Sequence, residues 1–169
     1  MGIDELIEVT PTVYGDLRGF FLESYHQSRY EDLGVKVSFC QDNHSYSKKG
    51  VLRGMHFQKG QAKLVYCPKG EIFDVAVDIR QNSPTFGMWK GFYLSETNHR
   101  QLFIPDGFAH GFCVLSEEAH VMYKVSAFFN KDLERGFSFK DPFVGINWPL
   151  QDPILSERDS KAPLFKEVI

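Results

Sequence analysis

The chain has 169 residues, with 22 acidic against 19 basic side chains and a net charge of -3. That length suits a single domain, residues 1–169, with a substantial core, and that charge argues against broad nucleic-acid binding. No apolar run reaches transmembrane length, and Met1-Gly2-Ile3-Asp4-Glu5 lacks the basic and apolar regions of a signal peptide. Aromatic residues make up 15% of the chain, 16 of them Phe, which favours a β-rich fold with an aromatic interior. Cys40, Cys67 and Cys113 are odd in number and far apart, so neither a zinc site nor a disulfide framework is expected. Reduced thiols in a cytoplasmic protein is the plain expectation.

In chain order, residues 28–33 read as a short helix, and Gln41 and Asn43 share one face of the strand that follows. The run Val51-Leu52-Arg53-Gly54-Met55-His56-Phe57-Gln58 is strand-like, with Gly54 leaving room for a close approach to the backbone. Alternation puts His56 on the face of Leu52 and Gly54, and Arg53 on the other unless a bulge turns it. Lys63 lies on the next strand. Over residues 72–79, Phe73, Val75, Val77 and Ile79 share one face, while Asp74 and Asp78 share the other with Ile72 and Ala76. Residues 108–115 and 120–129 are similar runs, joined by Ser116-Glu117-Glu118 as an expected hairpin, and residues 155–160 read as a second short helix. Turn signals such as Lys69-Gly70 and Pro105-Asp106-Gly107 separate the runs. Many short strands without long amphipathic helices predict a β-sandwich or barrel rather than a βαβ protein.

In such a fold, polar residues on inward faces converge on one cavity. Gln41, Asn43, His56, Lys63, His110 and Tyr123 are the ones to gather. Taken singly each has a plain reading: His56 as a hydrogen-bonded core histidine, Lys63 as an exposed charge, His110 as a turn former beside Gly111, Tyr123 as a half-buried aromatic. A metal-binding cupin wants a His-x-His pair with a nearby Glu, but Gln58 stands two beyond His56 and Phe112 two beyond His110, so no metal is expected. A Gly-x-Ser-x-Gly nucleophile turn and a glycine-rich phosphate loop are also missing from the sequence.

Nine segments, RGFFLESY, QDNHSYSKKGVLRGMHFQ, AKLV, GEIFDVAVDIR, SPTFG, HRQLFIPDGFAHGF, MYK, GINWP and LSERD, run from near the start of the chain to near its end. With them the chain resembles the dTDP-4-dehydrorhamnose 3,5-epimerases. The resemblance implies an all-β fold, a cupin-type antiparallel β-sandwich or jelly roll with a few short helices. It implies an isomerase that inverts C3 and C5 of dTDP-4-dehydro-6-deoxy-D-glucose by proton transfer α to the ketone, with no cofactor. By the same resemblance His56 is the base, Asp159 orients it, Tyr123 is the acid on the opposite sugar face, and Lys63 faces the enolate. Arg53 and His110 match substrate-pocket residues, as do Arg18, Phe21, Glu23, Gln41, Asn43 and Arg158, some of the N-terminal ones reaching the neighbouring subunit's site. A homodimer with exchanged N-terminal strands is thereby implied.

The chain departs from the family pattern in two places. The loop between His56 and Lys63 is shorter than usual, and Phe129 stands where a second tyrosine is usual, keeping the ring but not the hydroxyl. Inversion at one carbon only, on the same or a related nucleotide sugar, is therefore the alternative expectation. A non-catalytic sugar-nucleotide binding cupin is the other.

Overall fold

A computed structural model describes residues 3–169, so Met1 and Gly2 of the opening segment lie outside the described residues. The strands in chain order are β1 (Ile7–Val9), β2 (Val13–Asp16), β3 (Gly19–Leu22), β4 (Gln41–Lys48), β5 (Leu52–Gln58) and β6 (Lys63–Lys69). They continue with β7 (Glu71–Asp78), β8 (Trp89–Ser95), β9 (Gln101–Ile104), β10 (Phe108–Val114), β11 (Glu118–Val125) and β12 (Glu134–Gly136). Three short helices, α1 (Gln27–Asp32), α2 (Glu157–Ser160) and α3 (Phe165–Val168), complete the fold. No helix among the described residues is long and apolar enough to cross a membrane.

Two antiparallel five-stranded sheets face each other, one in the order β1-β9-β6-β11-β4 and the other β12-β5-β10-β7-β8, with β2 and β3 pairing apart from both. From β4 onward, successive strands fall in opposite sheets except β7 and β8. This is the all-β sandwich that the strand pattern predicts, closed in the jelly-roll manner. One expectation is corrected. The segment Ser116-Glu117-Glu118 does not close a hairpin, because β10 pairs with β5 and β7 while β11 pairs with β4 and β6. The Ser116 hydroxyl donates to the Glu118 carbonyl at 2.6 Å and accepts the Glu71 amide at 2.8 Å, fastening the connection to the start of β7. The chain so crosses to the other sheet. The strand after it ends at Val125, so Ala127 and Phe129 lie beyond the ladder.

Period-two alternation along β7 shows why the second sheet is buried on both faces. Ile72 and Ala76 pack with Val65, Leu102 and Ile104 of the first sheet. Val75 and Val77 pack outward with Met55, Phe137 and Phe165, so residues from 137 onward cover the outer face. Met55 and Phe137 exchange backbone hydrogen bonds at 3.2 and 3.1 Å, and Leu52 donates to the Ile154 carbonyl at 3.0 Å. These bonds bring α2 against β5. This helix begins at Glu157, later than residue 155, because Ser156 serves as its N-cap, its hydroxyl accepting the Asp159 amide at 3.0 Å.

The pairing of β5 with β10 carries an irregularity that decides the site. His56 opposes His110 and Arg53 opposes Phe112, so three steps on β5 match two on β10. The extra residue turns Arg53 to the same cavity as His56, which strict alternation forbids. Gly54 sits in this bulge at φ +134°, with its backbone against Gly111. A Cβ at position 54 would stand 2.6 Å from the Gly111 Cα. Gly54→Ala is expected to destabilise the fold by more than about 2 kcal/mol, measured as a lowered denaturant midpoint at unchanged slope.

Candidate functional site

A cavity of about 720 Å³ opens between the two sheets, within the range that holds a nucleotide-sized ligand. His56, Lys63, Tyr123 and Asp159 all line it, as do Gln41, Asn43, Arg53, His110, Phe129 and Arg158. Ten of the thirteen residues expected from the sequence thus share one wall system. The other three do not. Arg18 and Phe21 stand on or beside the β2–β3 hairpin, exposed and outside this cavity, and Glu23 is paired with Arg29 at 2.6 Å.

His56 projects from β5, and its Nε2 lies 2.6 Å from Asp159 Oδ1. Burial would push the Asp159 carboxyl up, but the hydrogen bonds to His56, to Ser156 and to the Gly54 amide outweigh it and hold the group below its usual range. The carboxylate at Nε2 favours the tautomer with the proton on that nitrogen, which leaves Nδ1 the acceptor atom of the neutral ring. The pair has the geometry of an imidazole held in place by a carboxylate.

Opposite His56 in register stands His110, buried, with its Nε2 2.7 Å from Asp74 Oδ1. Burial pushes the His110 imidazole down, Asp74 opposes this in part, and the neighbouring Lys63 and His56 add to the lowering. His110 is accordingly held neutral. Asp74 is fully buried, and its other oxygen, Oδ2, has no partner among the described residues. Asp74 is a site residue that sequence reasoning missed, although its place among Ile72 and Ala76 on an inward face was a visible signal.

Lys63 corrects the reading of it as a surface charge. At 8% exposure it is buried, and its Nζ lies 3.5 Å from the His56 carbonyl. Burial pushes its ammonium down to about 8, against the attraction of Asp74 and Glu134. Glu134 also escaped notice in the sequence. It lines the cavity and pairs with Arg158 at 2.6 Å, tying β12 to α2. Tyr123 on β11 opposes Asn43 on β4, and burial raises its phenol, so the hydroxyl stays protonated at neutral pH. Gln41 donates to Asn43 Oδ1 at 2.8 Å, holding the pair on one face as alternation predicts. Arg53 is fixed at the mouth by its Nε bond to the Ser47 hydroxyl at 2.9 Å. Phe129, 58% exposed, forms part of the rim.

A family model described as dTDP-4-dehydrorhamnose 3,5-epimerase matches residues 1–167. The dTDP-4-dehydrorhamnose 3,5-epimerase of Shigella flexneri is 54% identical over 96% of this chain and 92% of its own length. That of Salmonella typhimurium is 53% identical over 99% of this chain and 94% of its own. Among solved structures, dTDP-6-deoxy-D-glucose-3,5-epimerase from Legionella pneumophila, in complex with dTDP-4-keto-L-rhamnose, superposes with a TM-score of 0.94 at 50% identity, covering 98% of this chain and 90% of that one. Whole-chain identity at this level, on the same fold, means that the chain belongs to the dTDP-4-dehydrorhamnose 3,5-epimerase family of isomerases.

Proposed function

We propose that this protein inverts C3 and C5 of dTDP-4-dehydro-6-deoxy-D-glucose to give dTDP-4-dehydro-L-rhamnose. The observation that carries the reading is the His56–Asp159 pair sharing one cavity with buried Lys63 and Tyr123. Hydrogens on C3 and C5 are acidified by the C4 ketone. His56 Nδ1 takes such a proton while Asp159 stabilises the imidazolium that forms. Negative charge then develops on the ketone oxygen, where the Lys63 ammonium, desolvated and close to the base, offsets it. Tyr123 returns a proton to the opposite face of the sugar. Arg53 and Arg158 at the mouth suit the diphosphate, whose oxygens a guanidinium binds two at a time.

One observation favours a second reading, inversion at a single carbon. Phe129 brings a ring to the rim but no hydroxyl to donate there. Turnover of the substrate in deuterated water separates the two. Label at both C3 and C5 supports double inversion, and label at one carbon supports the second reading. His56→Ala is expected to slow exchange at either carbon by about 10²-fold or more. Exchange at the wild-type rate in that variant would refute the base assignment.

Lys63 sets the alkaline limit. Its charged form, the one that stabilises an enolate, prevails below about 8 and is lost as pH rises through that value. The profile of kcat/KM, which reports the free enzyme, is expected to fall with a midpoint near 8, and Lys63→Met is expected to remove the limb together with most of the activity.

The working unit in this reading is a homodimer with exchanged hairpins. Tyr14, Leu17, Phe20 and Phe21 are between 61% and 108% exposed, an apolar surface that a second copy would cover. Arg18, beside them, would then reach the partner's cavity. Arg18→Ala and His56→Ala chains, each nearly inactive alone, are expected to regain about a quarter of wild-type activity when unfolded, mixed and refolded, because each mixed dimer holds one intact site. No recovery would argue that Arg18 serves its own chain.

A further inference from the structure

We infer that Gln58, which touches no part of the cavity, is a positioning residue that sets the Phe129 ring against the sugar. The inference rests on the epimerase reading above. Beyond Val125 the chain leaves the ladder, and the backbone from residue 126 to 130 has no strand partner. Side-chain amides supply what the sheet does not. Gln61 Nε2 donates to the Ala127 carbonyl at 2.8 Å, and Gln58 Nε2 donates to the Phe128 carbonyl at 3.0 Å. The Asn130 amide donates to Gln58 Oε1 at 2.8 Å, and the Phe129 amide donates to Gln41 Oε1 at 3.3 Å.

Gln58 therefore grips the backbone on both sides of Phe129, using its donor and its acceptor at once. It is 5% exposed, so water does not compete for either bond. It is also the last residue of β5, two positions after His56 and on the same face. The ring at the rim is thus referenced to the base through two residues of a rigid strand. A plain loop anchor would not need this. Ser126 already ties the start of the segment, its hydroxyl accepting the Ala62 amide at 2.8 Å, and the Asn130 carbonyl accepts the Glu134 amide at 3.0 Å at the other end. Gln58 adds the two bonds that flank Phe129, beside the Gln41 bond to the Phe129 amide itself. Since the ring borders the space where the sugar sits, its placement decides how each acidic carbon approaches His56.

Gln58→Met keeps the shape of the side chain and removes both bonds. Gln58→Glu keeps the acceptor for the Asn130 amide and removes the donor. Each is made in the wild-type and the Phe129→Ala backgrounds, and thermal unfolding is measured for all. The expected result is a fall in kcat of about tenfold at little-changed KM, with the ratio of deuterium uptake at C3 and C5 altered by about threefold where both carbons exchange. In the Phe129→Ala background the Gln58 substitutions are expected to add no further loss, because the ring they aim is gone. The inference is overturned if kcat is unchanged, if the loss is as large without the ring, or if neither variant folds, since Gln58 would then serve the whole sheet. Absence of solvent exchange in the wild-type protein would instead overturn the epimerase reading itself.

Discussion

Charge held between two apolar sheets is the constraint around which this molecule is arranged. Lys63, Asp74, His110 and Asp159 are each at most 8% exposed. Water is nearly absent from their surroundings, so each must find a partner or lose its charge. Burial lowers Lys63 from 10.5 to about 8, so its hold on the proton is weakened although the charged form still prevails at neutral pH. His110 against Asp74 and His56 against Asp159 offset part of the penalty through bonds of 2.7 and 2.6 Å. Apolar residues of the same volume would stabilise such a core at least as well. A cluster of this kind, with one carboxylate oxygen unpartnered among the described residues, is not accounted for by stability alone.

Burial on both faces of the second sheet makes the cluster possible. The inward face of β7 carries Asp74 and the outward face carries Val75 and Val77, whose packing on Phe137 and Phe165 supplies the cohesion that the polar face withholds. The same covering segment delivers Asp159. Without the backbone bonds joining Met55 to Phe137 and Leu52 to Ile154, α2 would have no reason to lie beside His56, which is 103 residues away in sequence. Core packing and active geometry are one arrangement here.

Local features of this arrangement were legible in the sequence, and those depending on distant partners were not. Alternation along β4 put Gln41 and Asn43 on one face, and alternation along β7 grouped Asp74 with Ile72 and Ala76, because period two belongs to the strand itself, but which face of β7 turns inward was not read from it. The turning of Arg53 toward His56 depends on a bulge between β5 and β10, which no property of either strand alone determines. The crossing at Ser116 was read as a hairpin because three polar residues between strand-like runs look the same whether or not the strands pair. Taken alone Lys63 read equally as an exposed charge, since a lysine's surroundings are set by the opposing sheet. The resemblance to a known family supplied the roles that these patterns could not.

Proton chemistry and substrate selection fall on different parts of the fold. His56, His110, Lys63 and the Tyr123 phenol all stand on ladder strands held from both sides. Phe129 and Arg158 stand on a loop and a four-residue helix fastened by side chains. Tyr123 is the one phenol lining the cavity among the described residues. A single base and a single acid that face each other across the sugar act on two carbons only if the ring presents each carbon to the same pair in turn. Fixed strands cannot arrange that second presentation. In the proposed reading the walls that hold the sugar do so, with Phe129 at the rim among them.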